Sequence, residues 1–203
     1  MTLSLEALRE RLLLEAPPLP LSPKRGDYDL DPANRPAGAV TLTPAAVLIP
    51  IVQRAEPTVL FTERSARLTR HAGQVSFPGG RSEANDESLI YTALRETQEE
   101  TGIAPDFVQV AGFLDAYETG TGFAILPVVG LIREGFALVP DTDEVAEIFE
   151  VPLAFLLDPA NRQRGQGEWK GKLRHFYAFR YHGHYIWGAT AAMLVNFAER
   201  MGR

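Results

Sequence analysis

Apolar residues along the chain follow two spacings, one typical of helices and one typical of strands. Leucines recur at helical spacing from about residue 3 to residue 15, which predicts an amphipathic N-terminal helix. A central helix is predicted with Asn85 or Asp86 as its N-cap and Gly102 as its C-terminal stop. A closing helix is predicted over ATAAMLVNFAERM.

Short apolar runs rich in β-branched residues separate these helices and predict strands. In chain order the runs are AAVLIPIV, TVLFTE, GQVSF, FVQVAGFLDAY, FAILPVVGLI, VAEIFEVPL, LRHFYAFRY and YIWG. The run VAEIFEVPL is expected to turn into a short helix at PLAFLL. Strands that flank a central helix, with another helix at the end, predict a layered α/β domain with a mixed sheet.

Two segments show no apolar period. The segment APPLPLSPKRGDYDLDPANRPAG is rich in Pro, Gly and Asp, and it predicts an extended arm. We therefore divide the chain into an N-terminal helix and Pro-rich arm, residues 1–38, and a main domain, residues 39–203. The segment DPANRQRGQGEWKGK predicts a mobile loop.

Composition narrows the classes of function. A chain of 203 residues with 45% apolar residues is long enough for one domain with a real core. Its net charge of −6 gives no support for binding nucleic acid or an anionic membrane. The absence of cysteine excludes disulfides, thiolate metal sites and thiol catalysis. Charged residues interrupt the first leucines, so we expect no signal peptide and a cytoplasmic protein. The expected oligomeric state is a monomer or a homodimer.

The central helix gathers three carboxylates near its end, those of Glu96, Glu99 and Glu100. At 100° per residue they lie within roughly a 100° arc, where like charges disfavour a helix by a few tenths of a kcal/mol per pair. Acids at a helix C-terminus also face the negative end of the helix dipole. A divalent cation would reverse this cost, and substrate phosphates would complete its coordination. Ordinary solvated glutamates are the alternative interpretation.

The segment GGRSEANDESLIYTALRETQEETGI resembles the signature of the Nudix hydrolases, which cleave nucleoside diphosphates linked to another moiety. The resemblance implies a Nudix-type α/β/α sandwich with a mixed central β-sheet, and a requirement for Mg²⁺ or Mn²⁺. One extra residue separates the glycines from the arginine relative to the usual spacing, so either Asp86 or Glu87 fills the first acidic position. The matching residues at the other end are Arg95, Glu96, Glu99, Glu100, Gly102 and Ile103.

The preceding segment, TERSARLTRHAGQVSFPGG, resembles the coenzyme A pyrophosphatase branch of that family. A small-molecule substrate, coenzyme A or a derivative, is therefore expected. Arginine forks suit phosphates, which makes Arg64, Arg67 and Arg70 the expected substrate contacts. The turn at Gly79 and Gly80 can bring backbone close to a ligand. Solvation of a surface loop is the alternative role for the arginines.

The resemblance also implies roles for the acids. Glu96 and Glu100 would be the core metal ligands, and Glu99 would complete the site or act as general base. Arg95 would hold a carboxylate in place, and Glu144 is the best base candidate from a separate loop. Water would attack the pyrophosphate and release 4′-phosphopantetheine and 3′,5′-ADP. The alternatives are a Nudix pyrophosphatase for ADP-ribose, NADH or nucleoside triphosphates, and a non-catalytic Nudix binding module.

Several histidines and tryptophans offer other interpretations. His182 and His184 have ligand-like spacing, but the glycine between them predicts a hairpin turn. His71 is expected either to touch substrate or to make a structural bond, and His175 to be structural. Trp169 is a candidate for closing over adenine or pantetheine, while Trp187 is expected in the core.

Overall fold

The structure is a computed structural model that describes residues 4–37, 40–67 and 72–202. Within these ranges the helices are α1 (Leu5–Arg9), α2 (Leu89–Thr101), α3 (Leu153–Leu157) and α4 (Ala189–Arg200). The strands are β1 (Arg25–Gly26), β2 (Thr43–Val52), β3 (Thr58–Arg64), β4 (Val75–Ser76), β5 (Gly79–Arg81), β6 (Val108–Phe113), β7 (Tyr117–Glu118), β8 (Phe123–Ile132), β9 (Val145–Pro152), β10 (Gln163–Trp169), β11 (Lys172–Tyr181) and β12 (His184–Trp187). Short 3₁₀ turns lie at Pro32–Asn34, Pro105–Phe107 and Pro159–Asn161.

A mixed sheet forms the centre of the molecule. Its main path runs β1-β7-β8-β2-β3-β4, with β5 paired to β2, β6 to β8 and β9 to β3. The two long central strands, β2 and β8, are parallel, and β3 runs antiparallel to β2. The predicted strands therefore form, and the predicted turn of β9 into a short helix is confirmed at α3.

The alternation of side chains along β2 explains why helices cover both faces of the sheet. Ala46 and Leu48 belong to the buried cluster that includes Leu89 and Ala93 of α2. Ile49 and Ile51 point the other way, into the cluster that contains the apolar residues of α4. The resulting α/β/α sandwich confirms the predicted fold class. No helix in the described ranges is both long and apolar enough to cross a lipid bilayer.

A second, three-stranded antiparallel sheet has the order β10-β11-β12. The prediction of a mobile loop over residues 158–172 is wrong, because β10 pairs with β11 along its whole length, from Gln163 opposite Ala178 to Trp169 opposite Lys172. The glycines and charged residues of β10 give it no apolar pattern in the sequence. It forms a strand because it pairs with the more apolar β11. The predicted turn at His182 and Gly183 is confirmed.

The N-terminal segment packs on the domain. The helix α1 is shorter than predicted because the chain leaves it to pair Leu13 with Phe113 of β6, a tertiary contact that overrides the leucine spacing. The side chains of Leu8 and Leu12 are buried in the main core. Farther along, Arg25–Gly26 adds β1 to the edge of the sheet beside β7. The boundary near residue 38 stays a prediction.

Candidate active site

Both ends of α2 have defined caps. The Ser88 hydroxyl accepts a hydrogen bond from the Tyr91 N–H at 3.1 Å, so Ser88 is the N-cap and the prediction of Asn85 or Asp86 is wrong. At the other end Gly102 has a φ of 79°, and its N–H donates to the Gln98 carbonyl at 2.8 Å. The predicted stop at Gly102 is confirmed, because this left-handed conformation favours glycine.

Asp86 binds Arg95 instead of capping the N-terminus of α2. Its carboxylate accepts two hydrogen bonds from Arg95, at 2.9 Å from Nε and 3.0 Å from Nη2. The Thr92 hydroxyl and the Glu83 N–H also donate to it, at 2.8 and 2.9 Å. The side chain is 2% exposed. The hydrogen bonds from Arg95 hold the pKa of Asp86 well below its usual range.

The remaining terminal nitrogen of Arg95, Nη1, contacts two of the helix acids. Its Nη1 lies 3.0 Å from Glu96 and 2.9 Å from Glu99. Arg95 therefore holds carboxylates as expected, although its two-pronged contact is with Asp86. The Glu99 side chain remains 58% exposed, which sets it apart from Glu96 at 17%.

Glu100 is the most buried of the three helix acids, with 6% of its side chain exposed. Its Oε2 accepts a hydrogen bond from the Gly79 N–H at 3.3 Å, and Arg64 Nη1 lies 4.0 Å from its Oε1. Burial raises the pKa of Glu100 to about 8, and the neighbouring Glu96 charge adds to this effect. Burial also raises the pKa of Glu96. Two desolvated acids on one helix face favour a bound cation.

Glycines at the start of β5 make room for these acids. Gly79 and Gly80 lie in a strand paired to Val47 and Ala46, so the predicted turn at this position is wrong. A Cβ added to Gly80 would lie 2.6 Å from the Glu96 carboxylate, and one on Gly79 would lie 2.4 Å from the Ala46 carbonyl oxygen. The carboxylate of Glu96 therefore rests directly against backbone. Hard oxygen donors of this kind fit Mg²⁺ or Mn²⁺.

Arg64 and Gly79, which contact Glu100, line a cleft of about 740 Å³, a volume typical of small-molecule sites. Arg64 and Gly79 lie at its acidic end, and the three-stranded sheet forms part of its wall. The Nε of Arg64 is buried and has no hydrogen-bond partner within the described part of the chain. Apolar side chains line much of the rest: Val47, Phe77, Phe123, Ile125, Phe176, Trp187 and Met193.

The sequence pattern of the NUDIX domain family matches residues 42–169, well over half of the chain. The chain belongs to the Nudix family. It is 46% identical over 159 residues to a protein of Pectobacterium atrosepticum named uncharacterized Nudix hydrolase NudL, covering 76% of this chain and 80% of that protein. A protein of the same name from Citrobacter koseri is 43% identical over 158 residues, covering 78% and 82%.

A solved structure shares the Nudix fold. It is a MutT/nudix family protein from Enterococcus faecalis, which superposes with a TM-score of 0.50 at 14% identity and covers 84% of this chain and 66% of that one. Together with the family match, this likeness supports a Nudix hydrolase. Nudix hydrolases generally use divalent metal ions such as Mg²⁺ or Mn²⁺.

The first acidic position of the Nudix signature now has a structural candidate. Asp86 is buried against Arg95, whereas the adjacent Glu87 is exposed. The extra residue is accommodated in the segment before α2, where the Asp86 carboxylate also accepts the Glu83 N–H. Asp86 is therefore the acid that braces the arginine of the Nudix helix.

The three arginines of the upstream segment have different positions. Arg64 lines the cleft beside Glu100. Arg67 is exposed, with its Nη1 4.0 Å from Asp143. Arg70, a predicted substrate contact, and His71, predicted either to touch substrate or to make a structural bond, lie outside the described residues. Their roles as substrate contacts stay predictions.

Glu144 lies on the loop before β9 and is exposed. Its carbonyl oxygen accepts a hydrogen bond from the Ser65 N–H at 2.7 Å, next to Arg64. Its charge contributes to the raised pKa of both Glu96 and Glu100, so its carboxylate acts on the acidic end of the cleft. A role as general base stays a prediction.

His175 and His184 contact acids other than those of the central helix. His184 stacks on Phe149 at 3.6 Å, with Nδ1 3.5 Å from Glu63 and Nε2 3.7 Å from Glu147. Each ring nitrogen therefore faces a different carboxylate. His175 makes a hydrogen bond with Asp31 at 2.8 Å, which agrees with a structural role.

The tryptophans and one arm residue complete the cleft. Trp187 is 36% exposed and lines the cleft, so the prediction that it packs in the core is wrong. Trp169 ends β10 and also lines the cleft. Sequence reasoning missed the cleft residues Asp27 and Arg174. The only signal for such a wall was the alternation within LRHFYAFRY, which places every second side chain on one face.

Proposed function

We propose that this Nudix protein hydrolyses the pyrophosphate bond of coenzyme A and its derivatives, releasing 4′-phosphopantetheine and 3′,5′-ADP. The observation that carries the proposal is the buried acid Glu100, which lies beside Arg64 at one end of the cleft, one helical turn from the partly buried Glu96. An arginine with an unused buried Nε beside a carboxylate pair suits a phosphate-bearing substrate. The resemblance of residues 62–80 to the coenzyme A pyrophosphatase branch supports coenzyme A in particular.

Each residue of the proposed site would have a separate role. Glu96 and Glu100 would hold a divalent cation, with Glu99 as the outer carboxylate. When bound, such a cation would neutralise negative charge on the phosphates and lower the pKa of water. Arg64 would orient the pyrophosphate, and Arg95, which is anchored by Asp86, contacts Glu96 and Glu99. Glu99 or Glu144 would accept the proton of the attacking water.

The proposal is tested by chromatography of products from coenzyme A, ADP-ribose, NADH and dATP at equal concentration. Each substrate is incubated with Mg²⁺, with Mn²⁺ and with chelator, using wild-type protein and the Glu100→Gln and Arg64→Gln variants. We expect 3′,5′-ADP from coenzyme A, and its loss with chelator or Glu100→Gln. Arg64→Gln should lower kcat/KM for coenzyme A about tenfold or more, because a charged contact to phosphate is lost.

Three outcomes would each contradict a different part of the proposal. Faster turnover of ADP-ribose, NADH or dATP would keep the Nudix chemistry and replace the substrate. Absence of turnover with all four substrates, in a folded protein that still binds Mn²⁺, would support the binding-module alternative. Hydrolysis of coenzyme A that persists in Glu100→Gln would remove the proposed role of the buried acid.

A further inference from the structure

The three-stranded sheet has two chemically different faces. Along β11 alternate side chains point to opposite sides, so Arg174 and Phe176 share one face while Tyr177 and Phe179 share the other. Phe179 and its neighbour Ile186 of β12 are fully buried in the main core. The opposite face lines the cleft. We name it the aromatic face and define it by Trp169, Arg174, Phe176, Tyr185 and Trp187.

Three rings of the aromatic face, those of Phe176, Trp187 and Tyr185, form a row. Phe176 and Trp187 have ring centroids 5.1 Å apart, and Tyr185 and Trp187 are 6.5 Å apart with a 20° angle between their planes. On β10 the position opposite Phe176 is Gly165, and a Cβ there would lie 2.4 Å from the Phe176 ring. The Phe176 ring therefore covers the backbone of β10, and Trp187 keeps 36% of its surface open in the cleft.

The N-terminal arm holds this face in position. The Asp27 carboxylate accepts hydrogen bonds from the Tyr117 hydroxyl at 2.8 Å and from the Gly120 N–H at 2.7 Å, and it pairs with Arg174 at 2.5 Å. The Arg174 guanidinium lies 5.6 Å from the centre of the Trp169 ring. A Cβ on Gly120 would lie 2.8 Å from the same ring. One carboxylate thus joins the arm, the turn after β7 and the aromatic face.

We propose that the aromatic face is the subsite for the adenine ring of the substrate, with Trp187 as its principal stacking residue. The same cleft contains Arg64 and Gly79 at the end where the helix acids lie, so one molecule can reach both ends. Flat rings and a nearby guanidinium suit a purine, because every base offers a π-face for stacking. The pantetheine arm of coenzyme A, in contrast, has no aromatic ring to stack on this face.

This inference rests on the proposed function only in taking an adenine nucleotide as substrate. Coenzyme A, ADP-ribose, NADH and dATP all carry adenine, so the subsite does not depend on which of them is hydrolysed. The inference assigns recognition of adenine to residues 163–187. The roles proposed above for the helix acids and the upstream arginines do not involve these residues.

The test measures binding by calorimetry with chelator present, which separates it from metal-dependent activity. The probes are AMP, 3′,5′-ADP and 4′-phosphopantetheine, and the variants are Trp187→Ala, Trp187→Phe and Phe176→Ala. We expect Trp187→Ala to weaken AMP and 3′,5′-ADP binding about tenfold or more, as for loss of one base-stacking ring. Trp187→Phe should recover most of that loss, and 4′-phosphopantetheine binding should stay within about twofold.

Leu173→Ala is the matched control, because Leu173 lies on β11 beside Arg174 but is 55% exposed and does not line the cleft. It should bind AMP like the wild type, and thermal melts should show all variants folded. Unchanged AMP binding in folded Trp187→Ala and Phe176→Ala, or a loss confined to 4′-phosphopantetheine, would overturn the inference. Trp187-dependent AMP binding in a protein that does not hydrolyse coenzyme A would support the subsite while the proposed substrate fails.

Discussion

Arg95 is the residue that determines how the helix acids are arranged. Its fork binds Asp86, and its remaining donor contacts Glu96 and Glu99. Glu100 has no contact with Arg95, and it lies against Gly79 and Arg64 instead. The signature motif predicted which acids gather here. It could not predict that Asp86 rather than Glu87 meets the arginine, because that choice depends on how the segment before α2 folds.

Replacing Asp86 should therefore reduce stability far more than replacing its neighbour. Asp86→Ala leaves Arg95 partly buried without its fork, and we expect a loss of about 3 kcal/mol in the free energy of unfolding. Glu87→Ala removes an exposed acid and should change it by less than about 0.5 kcal/mol. Urea unfolding monitored by circular dichroism measures both. Equal effects of the two substitutions would contradict the assignment of Asp86.

The same ion pair predicts a dependence on pH. The pKa of Asp86 is lower in the folded chain than in the unfolded chain, so its contribution to stability is present above the unfolded pKa of about 4. It should be lost progressively as the pH falls through that value towards the folded pKa. The stability difference between wild type and Asp86→Asn, measured by urea unfolding from pH 7 to pH 3, should therefore shrink. A constant difference would exclude this linkage.

At the scale of elements, the sequence predicted those helices and strands that pack through strongly apolar faces. The long strands β2 and β8 were predicted from short apolar runs, α2 from the signals at its ends, and α4 from the closing apolar segment. The strand β10 was missed, since Gly165 and Gly167 supply no side chains on the aromatic face. The length of α1 was overestimated, because Leu13 pairs with β6 and does not continue the helix.

The packing of α1 makes a direct prediction about the N-terminal segment. Leu8 is fully buried in the core that includes α4, whereas Leu14 is 61% exposed. Leu8→Ala should lower the free energy of unfolding by about 3 kcal/mol, since it deletes buried methyl groups and leaves a cavity. Leu14→Ala is the control and should change it by less than about 0.5 kcal/mol. If Leu8→Ala also unfolds with wild-type stability, the segment does not stabilise the domain.

Across the whole molecule, the cleft is assembled from segments far apart in the chain. Asp27 comes from the arm, Arg64 from β3, Gly79 from β5 and Trp187 from β12. Motif spacing locates the helix acids because they share one element. It carries no information about which distant strands meet them, since sheet order and the second sheet set that arrangement. The acidic end was therefore predictable from the sequence, and the opposite wall of the cleft was not.

Metal binding at the proposed site should stabilise the whole fold, since a ligand that binds only the folded chain stabilises it. With Mn²⁺ at about 100 times its Kd, we expect the wild-type Tm to rise by roughly 5–10 °C. Glu96→Gln and Glu100→Gln should abolish most of this rise, because each removes a buried carboxylate against β5. Glu99→Gln should reduce it less, since Glu99 is more exposed. Glu87→Gln is the control and should keep the full rise. Differential scanning calorimetry with and without Mn²⁺ distinguishes these variants, and an equal rise in Glu100→Gln would place the cation elsewhere.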